Sequence, residues 1–407
     1  MPAEFEALNI GLIGCGGMGY RHALAIAEMH DLGCKPVRIV AICDADATRR
    51  SRIAALLESR CGLRPEEFAE APALLTHPGV EAVQIVLPTS LHHKMVLAAL
   101  EAGKHVLVEK PMALTVAACD QIVMAAQQGD RVVAVAENYR RIPANRAMGA
   151  LIRSGSLGPS EAMFVRNFAS PDPPVKPGDP PVSSPRWYAD RTHAGGYHVM
   201  EMGVHEADLQ HDWFGPVRRV SAQMRRFGAA RPDASEDMLT ARLEFDGGFE
   251  SNLAFCSTVR GFEMADRVLV AREGVVTSGA WHAWQDGRIV GSDGQCRSVE
   301  EMVSAWMAEL SDEDRQRLLP PGSWVPGVSE GTAPLTYGVG AAIHDFARAV
   351  REGGSPEITA EVGRVAVATC CAMLESAHVE GPVDVDDVLS GAIAAAQEPL
   401  NRAIGLC

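Results

Sequence analysis

The sequence predicts an α/β protein: a doubly wound parallel sheet at the N-terminal end, followed by a separate α+β domain. Three observations carry the prediction. Apolar runs alternate with helical stretches from Leu8 to Ala136. The first of those runs ends in the glycine-rich turn Gly14-Cys15-Gly16-Gly17-Met18-Gly19. Beyond about residue 160 the chain changes to a succession of strand-like runs.

Leu8 to Ile13 is a short apolar run closed by glycine, which suits a strand buried on both faces. Helical spacing follows near Tyr20 to Met29, then an apolar run at Val37 to Cys43. A charged helical stretch, Ala47 to Arg60, keeps its apolar positions at Ile53, Leu56 and Leu57. The alternation continues with strand Ala82 to Leu87, helix Leu91 to Ala102, strand His105 to Val108, helix Val116 to Gln127 and strand Val132 to Ala136. Strands spaced by helices of this length form βαβ units, and their ligands bind beyond the carboxyl ends of the strands. Asn138 to Gly158 reads as a strand end, a helix-starting proline and a helix stopped by glycine, a bridge on which Arg141 is a candidate to face the ligand. Strand-like runs follow at Ala162 to Phe168, Val217 to Phe227, Met238 to Phe245 and Gly248 to Ser257, with a hairpin signal at Asp246-Gly247-Gly248. The expected division is a dinucleotide-binding domain over 1–140 and a second domain over 141–407. The closing helical segments, Gly340 to Glu352 and Glu361 to Ala377, are expected to be able to return to the first domain.

A length of 407 residues exceeds one usual domain, and 47% hydrophobic with 22% charged residues is an ordinary globular composition. A formal net charge of −15 argues against nucleic acid or an acidic membrane as partner, both of which need clustered Lys and Arg. None of the ten cysteines forms a CxxC pair, and Cys15, Cys43, Cys256 and Cys371 lie in apolar runs, as reduced core thiols do. The first residues show no secretory signal pattern, and no uninterrupted apolar stretch approaches the ~20 residues of a membrane span. The expected location is the cytoplasm, and the expected partner a small substrate.

Four strand ends carry chemistry. In the glycine turn, Gly14 allows the tight bend, Gly16 lets the backbone approach a pyrophosphate and Gly19 lets helix and strand pack closely, with Gly17 and Met18 completing the cofactor loop. The helix N-terminus offers free N–H groups to the phosphates. Asp44 closes the next strand, where a carboxylate accepts hydrogen bonds from ribose hydroxyls and repels a 2′-phosphate. That favours NAD over NADP, although Arg49 and Arg50 lie close behind and keep NADP possible; the plain alternative is a solvated turn carboxylate. The third strand ends in Pro88-Thr89-Ser90-Leu91-His92, a polar turn beside the cofactor. The fourth ends in Glu109-Lys110-Pro111, where the lysine either projects toward the nicotinamide or pairs at the surface with Glu109.

Together these stretches resemble the Gfo/Idh/MocA oxidoreductases, the glucose–fructose oxidoreductase and inositol dehydrogenase family. The carrying segments are IGLIGCGGMG, VEAVQIVLPTSLHHKMVLAALEAGKHVLVEKPMA, NYRRIPA and GGYHVMEMGVHEADLQHDWFG. The resemblance implies an N-terminal Rossmann domain and a C-terminal α+β domain built on a large, mostly antiparallel sheet that often mediates homodimers or homotetramers. It implies that Lys110 contacts substrate and nicotinamide ribose and assists proton transfer, and that His205 is the general acid/base. Glu201, four residues before His205, stands where many members have aspartate; its longer side chain keeps the charge, and its expected contact is to substrate, to His205 or to neither. Segments just before the glycine pair Gly195-Gly196 contact substrate in the family, which makes Trp187 and His193 candidate sugar contacts.

His198, Glu201, His205, Asp208 and Asp212 are spaced so that one helix would carry them along a single stripe. Two chemical readings follow. In one, His205 takes a hydroxyl proton near neutral pH, Lys110 stabilises the developing alkoxide and Glu201 orients the imidazole. In the other, His198, Glu201 and His205 ligate a divalent metal; the motif matches favour the first. Ser170 to Pro185 reads as a proline-rich lid, and residues 275–335 as an insertion shaping a pocket or an oligomer interface. The expected function is NAD(P)-dependent oxidation of a secondary hydroxyl on a sugar, cyclitol or related carbohydrate. The competing functions are an NAD-retaining glycosidase or epimerase without net redox, a non-enzymatic cofactor-sensing regulator, and last a metal-dependent hydrolase.

Overall fold

The computed structural model describes residues 6–168, 186–188, 190–228, 235–258, 264–279, 287–320 and 334–406. The chain divides into two compact units. The first comprises Met1–Ala113, Cys119–Pro143 and Glu309–Arg364; the second comprises Leu114–Ala118, Ala144–Ala308 and Val365–Cys407.

The first unit is built on strands β1 (Leu8–Ile13), β2 (Val37–Cys43), β3 (Glu66–Phe68), β4 (Ala82–Ile85), β5 (His105–Val108) and β6 (Val133–Val135). All neighbours are parallel, in the order β3-β2-β1-β4-β5-β6. Helices α1 (Gly17–Asp31), α2 (Ala47–Cys61), α3 (Ala71–Leu75), α4 (Thr89–Glu101) and α5 (Val116–Gln128) separate them. The chain leaves β1 toward β2 and β3, then returns to β4 on the other side of β1, so the strand order reverses between β1 and β4. A crevice opens at the carboxyl ends at such a reversal. Local signals set the helices: the Asp46 side chain accepts N–H bonds from Thr48 and Arg49 at the start of α2, and Gly62 in the left-handed region ends it. The short β3 and α3 were not expected, because Glu66-Glu67-Phe68 makes no apolar run.

In the second unit follow α6 (Pro143–Arg153), β7 (Ser160–Phe168), α7 (Arg191–Ala194), α8 (His198–Glu201), α9 (Gly203–Phe214), β8 (Val217–Arg225), β9 (Met238–Phe245), β10 (Glu250–Cys256), β11 (Met264–Ala271), β12 (Gly274–Gly279), β13 (Arg288–Gly291), β14 (Cys296–Ser298) and α10 (Val299–Glu309). Next come α11 (Asp312–Leu318) and α12 (Pro334–Glu352), which lie in the first unit. The chain closes with α13 (Ala360–Val379), β15 (Val383–Asp384), α14 (Val385–Leu389) and α15 (Glu398–Ile404). The sheet runs β14-β13-β12-β11-β7-β10-β9-β8-β15 and is antiparallel except where β7 meets β10. Its buried face takes Met163 and Val165 from β7, Leu239 and Leu243 from β9, and Leu253 and Phe255 from β10. Phe214 of α9 packs against Phe245 and Phe249 at the hairpin, with ring centroids 5.8 and 4.1 Å away.

Helix α12, one of the closing helical segments expected to be able to return to the first domain, lies in the first unit: it packs on α1 and adds Val339, Ile343 and Phe346 to a core that holds Leu8, Ile10, Ile26 and Ile53. Helix α13 is long and apolar enough to cross a membrane by length and composition, but 67% of that window is buried inside the protein, as in a core helix. Part of the expected insertion over 275–335 extends the second sheet as β12, β13 and β14 and then forms α10 and α11. Its remainder, including most of WHAWQDGR and all of SWVPG, lies outside the described residues, as does the proline-rich segment 170–185. No described cysteine is in a disulfide. Burial pushes the Cys15 thiol up to about 12 and the Cys43 thiol up to about 11, which suits inert core thiols; Cys256 is only half-buried.

Candidate active site

The glycine turn connects β1 to α1 at the strand-order reversal. Gly14 has φ +102°, and an added Cβ would stand 2.0 Å from the Val86 carbonyl oxygen, so only glycine fits. At Gly19 an added Cβ would stand 2.0 Å from the Gly14 carbonyl oxygen, which is the close helix–strand approach its position requires. Gly16 and Gly17 differ: an added Cβ at either meets nothing within 4 Å. That open space over the start of a 15-residue helix is where a pyrophosphate would be received by free N–H groups. Met18 is half-buried at the rim of the loop.

Asp44 is fixed by backbone donors. One carboxylate oxygen accepts the Cys15 N–H at 2.8 Å and the other the Asp46 N–H at 2.9 Å, so the negative charge is held directly against the glycine turn. The two neighbouring arginines are engaged with the protein. Arg50 donates to the Asp44 carbonyl oxygen at 2.6 Å and pairs with Glu67 at 3.6 Å, while Arg49 pairs with Asp46 at 3.4 Å.

The turn after β5 carries Lys110, half-buried, with a cis peptide to Pro111. The surface pairing of Lys110 with Glu109 considered above is replaced by an inward Glu109, 6% exposed. Its carboxylate lies 2.8 Å from His22 Nε2 and accepts the Lys110 backbone N–H at 3.1 Å. Glu109, a candidate cofactor contact, therefore also holds this turn. His92 likewise turns inward: its Nδ1 and Nε2 each lie 2.8 Å from a backbone carbonyl oxygen, of Pro111 and Leu87 respectively. Thr89 opens α4 and is buried, and Pro88 is half-buried at the mouth of the same turn. His22 was not singled out from the sequence; the signal for it is a lone polar residue on the sheet-facing side of α1.

The single helical stripe expected from His198 to Asp212 is broken. Met202 (φ −105°, ψ −40°) separates α8 from α9, and the bond from Glu206 N–H to the Met202 carbonyl is stretched to 3.5 Å. His198 belongs to the core, 5% exposed. Its Nε2 lies 3.1 Å from Ser257 Oγ, its N–H donates to the buried Glu236 carboxylate at 2.8 Å, and burial pushes its imidazole down to about 4. Burial also raises the Glu236 carboxyl. His205 stands on α9, 4% exposed, and Glu201 is half-buried at the end of α8. Asp208 is buried, and Asp212 pairs with Arg153 at 3.7 Å. Among the described residues no three His, Cys, Asp or Glu side chains are arranged to hold a metal ion. Glu206, next to His205, was not anticipated; it accepts from Arg267 Nε of β11 at 3.0 Å, and this buried pair ties α9 to the sheet.

Trp187 lies in a 3₁₀ turn, Arg186–Tyr188, with one ring face stacked on Tyr188 at 4.2 Å. His193 is exposed, its Nδ1 2.8 Å from the Asp190 carboxylate, whose own acidity is strengthened chiefly by the Thr192 hydroxyl. Arg141, considered as a ligand-facing residue, is 1% exposed and bound to Asp345 and Glu357 at 3.1 Å each. It serves the packing of the first unit.

A reversal-point glycine turn, an acidic residue closing β2 and a lysine turn after β5 define a nucleotide-dependent oxidoreductase. Residues 8–137 match the model of the oxidoreductase family with an NAD-binding Rossmann fold, and 151–385 match that family's C-terminal alpha/beta domain. The chain belongs to the Gfo/Idh/MocA family and is an NAD(P)-dependent oxidoreductase acting on CH–OH groups. It is 26% identical over 405 residues to levoglucosan dehydrogenase of Pseudarthrobacter phenanthrenivorans, covering 94% of this chain and 99% of that one. It is 29% identical over 244 residues to inositol 2-dehydrogenase 2 of Saccharopolyspora erythraea, covering 59% and 64% of the two chains. Among solved structures, levoglucosan dehydrogenase in complex with NADH and levoglucosan superposes with TM-score 0.75 at 24% identity, covering 93% of this chain and all of that one. An aldose–aldose oxidoreductase from Caulobacter crescentus superposes with TM-score 0.70 at 18% identity over 93% of this chain. At such identities the superpositions speak for the fold.

Proposed function

We propose that this enzyme oxidises a secondary hydroxyl of a sugar, anhydro sugar or cyclitol with NAD, and reduces the corresponding ketone in the reverse direction. The observation that carries the proposal is the turn after β5. Lys110 stands at the carboxyl end of the strand beside the β1/β4 reversal, on a backbone anchored through Glu109 and through the Pro111 carbonyl. Gly14, Gly16, Gly17, Met18 and Gly19 would receive the pyrophosphate, Asp44 the adenosine ribose, and the Pro88-Thr89 turn the neighbouring nucleotide surface. The bound nicotinamide supplies the hydride acceptor. The protein's part is to manage the proton: His205 accepts it from the hydroxyl, Lys110 stabilises the alkoxide that develops as the C–H bond breaks, and Glu201 orients the imidazole. Trp187, through its face away from Tyr188, and His193 contact the sugar.

The fixed negative charge at Asp44 and the engaged arginines support NAD in preference to NADP. The outward face of the second sheet presents Phe164 and Val290 among exposed apolar side chains, which supports a homodimer or homotetramer formed through that face. The lack of disulfides among the described cysteines supports a reducing, cytoplasmic location. The test is absorbance at 340 nm with NAD and NADP against a panel of sugars, cyclitols and anhydro sugars. Nicotinamide that co-purifies, does not exchange and yields no bulk NADH would instead point to the glycosidase or epimerase reading.

A further inference from the structure

Beneath the glycine-loop helix lies a chain of three enclosed polar side chains. Gln84 in β4, His22 in α1 and Glu109 after β5 are 0%, 1% and 6% exposed. His22 Nδ1 is 3.3 Å from Gln84 Oε1, and His22 Nε2 is 2.8 Å from Glu109 Oε1. The other Glu109 oxygen accepts the Lys110 backbone N–H at 3.1 Å, while the Glu109 N–H itself donates to the Ile85 carbonyl at 2.9 Å. A carboxylate between a helix and a sheet is strongly unfavourable unless its oxygens are satisfied, and apolar residues of similar volume would fill the same layer without that penalty. A packing role alone does not require this arrangement.

What the chain of contacts connects is specific. His22 sits one turn into the helix that begins at the glycine loop, and Lys110 is the residue next to Glu109. One 2.8 Å contact therefore sets the turn bearing Lys110 relative to the helix that would hold the pyrophosphate. On the far side, His92 Nδ1 lies 2.8 Å from the Pro111 carbonyl oxygen, so the Lys110 backbone is held on both flanks. We infer that His22 is a positioning residue for Lys110, acting through the Glu109 carboxylate. The inference rests on the role proposed above for Lys110.

The test compares His22→Ala, His22→Gln, Lys110→Ala and the His22→Ala/Lys110→Ala double variant. Gln is chosen because its amide nitrogen reaches the place of the imidazole Nε2 and keeps the donor to Glu109. Three quantities are read: turnover with levoglucosan or the fastest substrate of the sugar panel, NADH affinity by fluorescence, and deuterium uptake at the Lys110 amide in the protein without cofactor. The expected result is a fall in kcat of about 10²-fold for His22→Ala, the size a small misplacement of a working group produces. NADH affinity should stay within about threefold, the Lys110 amide should exchange faster, and His22→Gln should recover most of both losses. In the Lys110→Ala background His22→Ala should cause no further fall, because the effect acts through the missing group. An equal fall in that background, no benefit from Gln, or wild-type kcat in His22→Ala overturns the inference while leaving the role of Lys110 intact. Near-normal turnover of Lys110→Ala overturns that role and the inference with it. Should His22→Ala fail to fold, His22→Gln and Glu109→Gln carry the comparison. Glu109→Gln is then expected to lower kcat and speed Lys110 amide exchange with NADH binding retained, and wild-type values of both overturn the inference.

Discussion

Alanine placed in turn at Gly16 and Gly19 separates ligand approach from helix packing, because the two glycines meet different surroundings. At Gly19 the new Cβ would stand 2.0 Å from the Gly14 carbonyl oxygen, where contacts under 3.0 Å essentially never occur. The start of α1 must therefore lift by about 1 Å, and overpacking of that kind destabilises by about 1–3 kcal/mol. With a melting shift of roughly 2–4 °C per kcal/mol for a chain of a few hundred residues, the Tm should fall by several degrees. At Gly16 the new Cβ meets nothing within 4 Å, and φ is −69°, ordinary for any residue. The fold should be indifferent to that methyl, but it occupies the space assigned to the pyrophosphate. NADH should bind at least about tenfold more weakly, a loss of about 1.4 kcal/mol. Fluorescence titration with NADH and a thermal melt on the same preparations give both numbers. Wild-type NADH affinity in Gly16→Ala, or a melting shift as large as that of Gly19→Ala, would refute the reasoning.

His205→Ala should lower turnover by about 10²–10⁴-fold if His205 is the acid/base, and steady-state kinetics showing near-normal kcat removes it from that role. Arg267→Ala leaves the Glu206 carboxylate buried without its guanidinium partner and should destabilise the protein by about 3–5 kcal/mol in urea unfolding, whereas a loss below about 1 kcal/mol would contradict the assigned importance of the pair. Stability should fall as pH is lowered from 6.5 toward 4. Burial pushes His198 and His344 down to about 4, so in that window the unfolded chain binds protons that the folded chain does not, at a slope of at most about 1.4 kcal/mol per pH unit for each histidine. Glu236, whose carboxyl burial raises, works against this trend, and a Tm that does not fall between pH 7 and pH 5 would contradict the assignment.

Much of the first unit could be read locally, since β1, β2 and β5 are largely apolar runs and the glycine turn states its own geometry. What could not be read depended on partners far away in the chain. Glu109 and Lys110 are adjacent, and whether the glutamate pairs outward or inward is decided by His22, 87 residues earlier. The break at Met202 follows the same logic, for the start of α8 is held by Glu236, which no spacing rule connects to it. Strand β11 escaped notice because it shows no clean alternation: Arg267 points inward to Glu206 on the same buried face as Leu269 and Ala271, while the outer face carries Val268 and Val270. Alternation marks a strand only when its outer face is polar. The resemblance singled out Lys110 and His205 from their motifs, yet the residues that hold the Lys110 turn in place became visible only in three dimensions.

The most direct test of the whole account is NADH formation at 340 nm with levoglucosan and the sugar and cyclitol panel, run side by side on the wild-type enzyme and Lys110→Ala. The account predicts substrate-dependent NADH formation that depends on Lys110 and is stronger with NAD than with NADP. An enzyme that binds NADH but reduces no cofactor with any member of the panel, or whose Lys110→Ala variant works as well as the wild type, would contradict it.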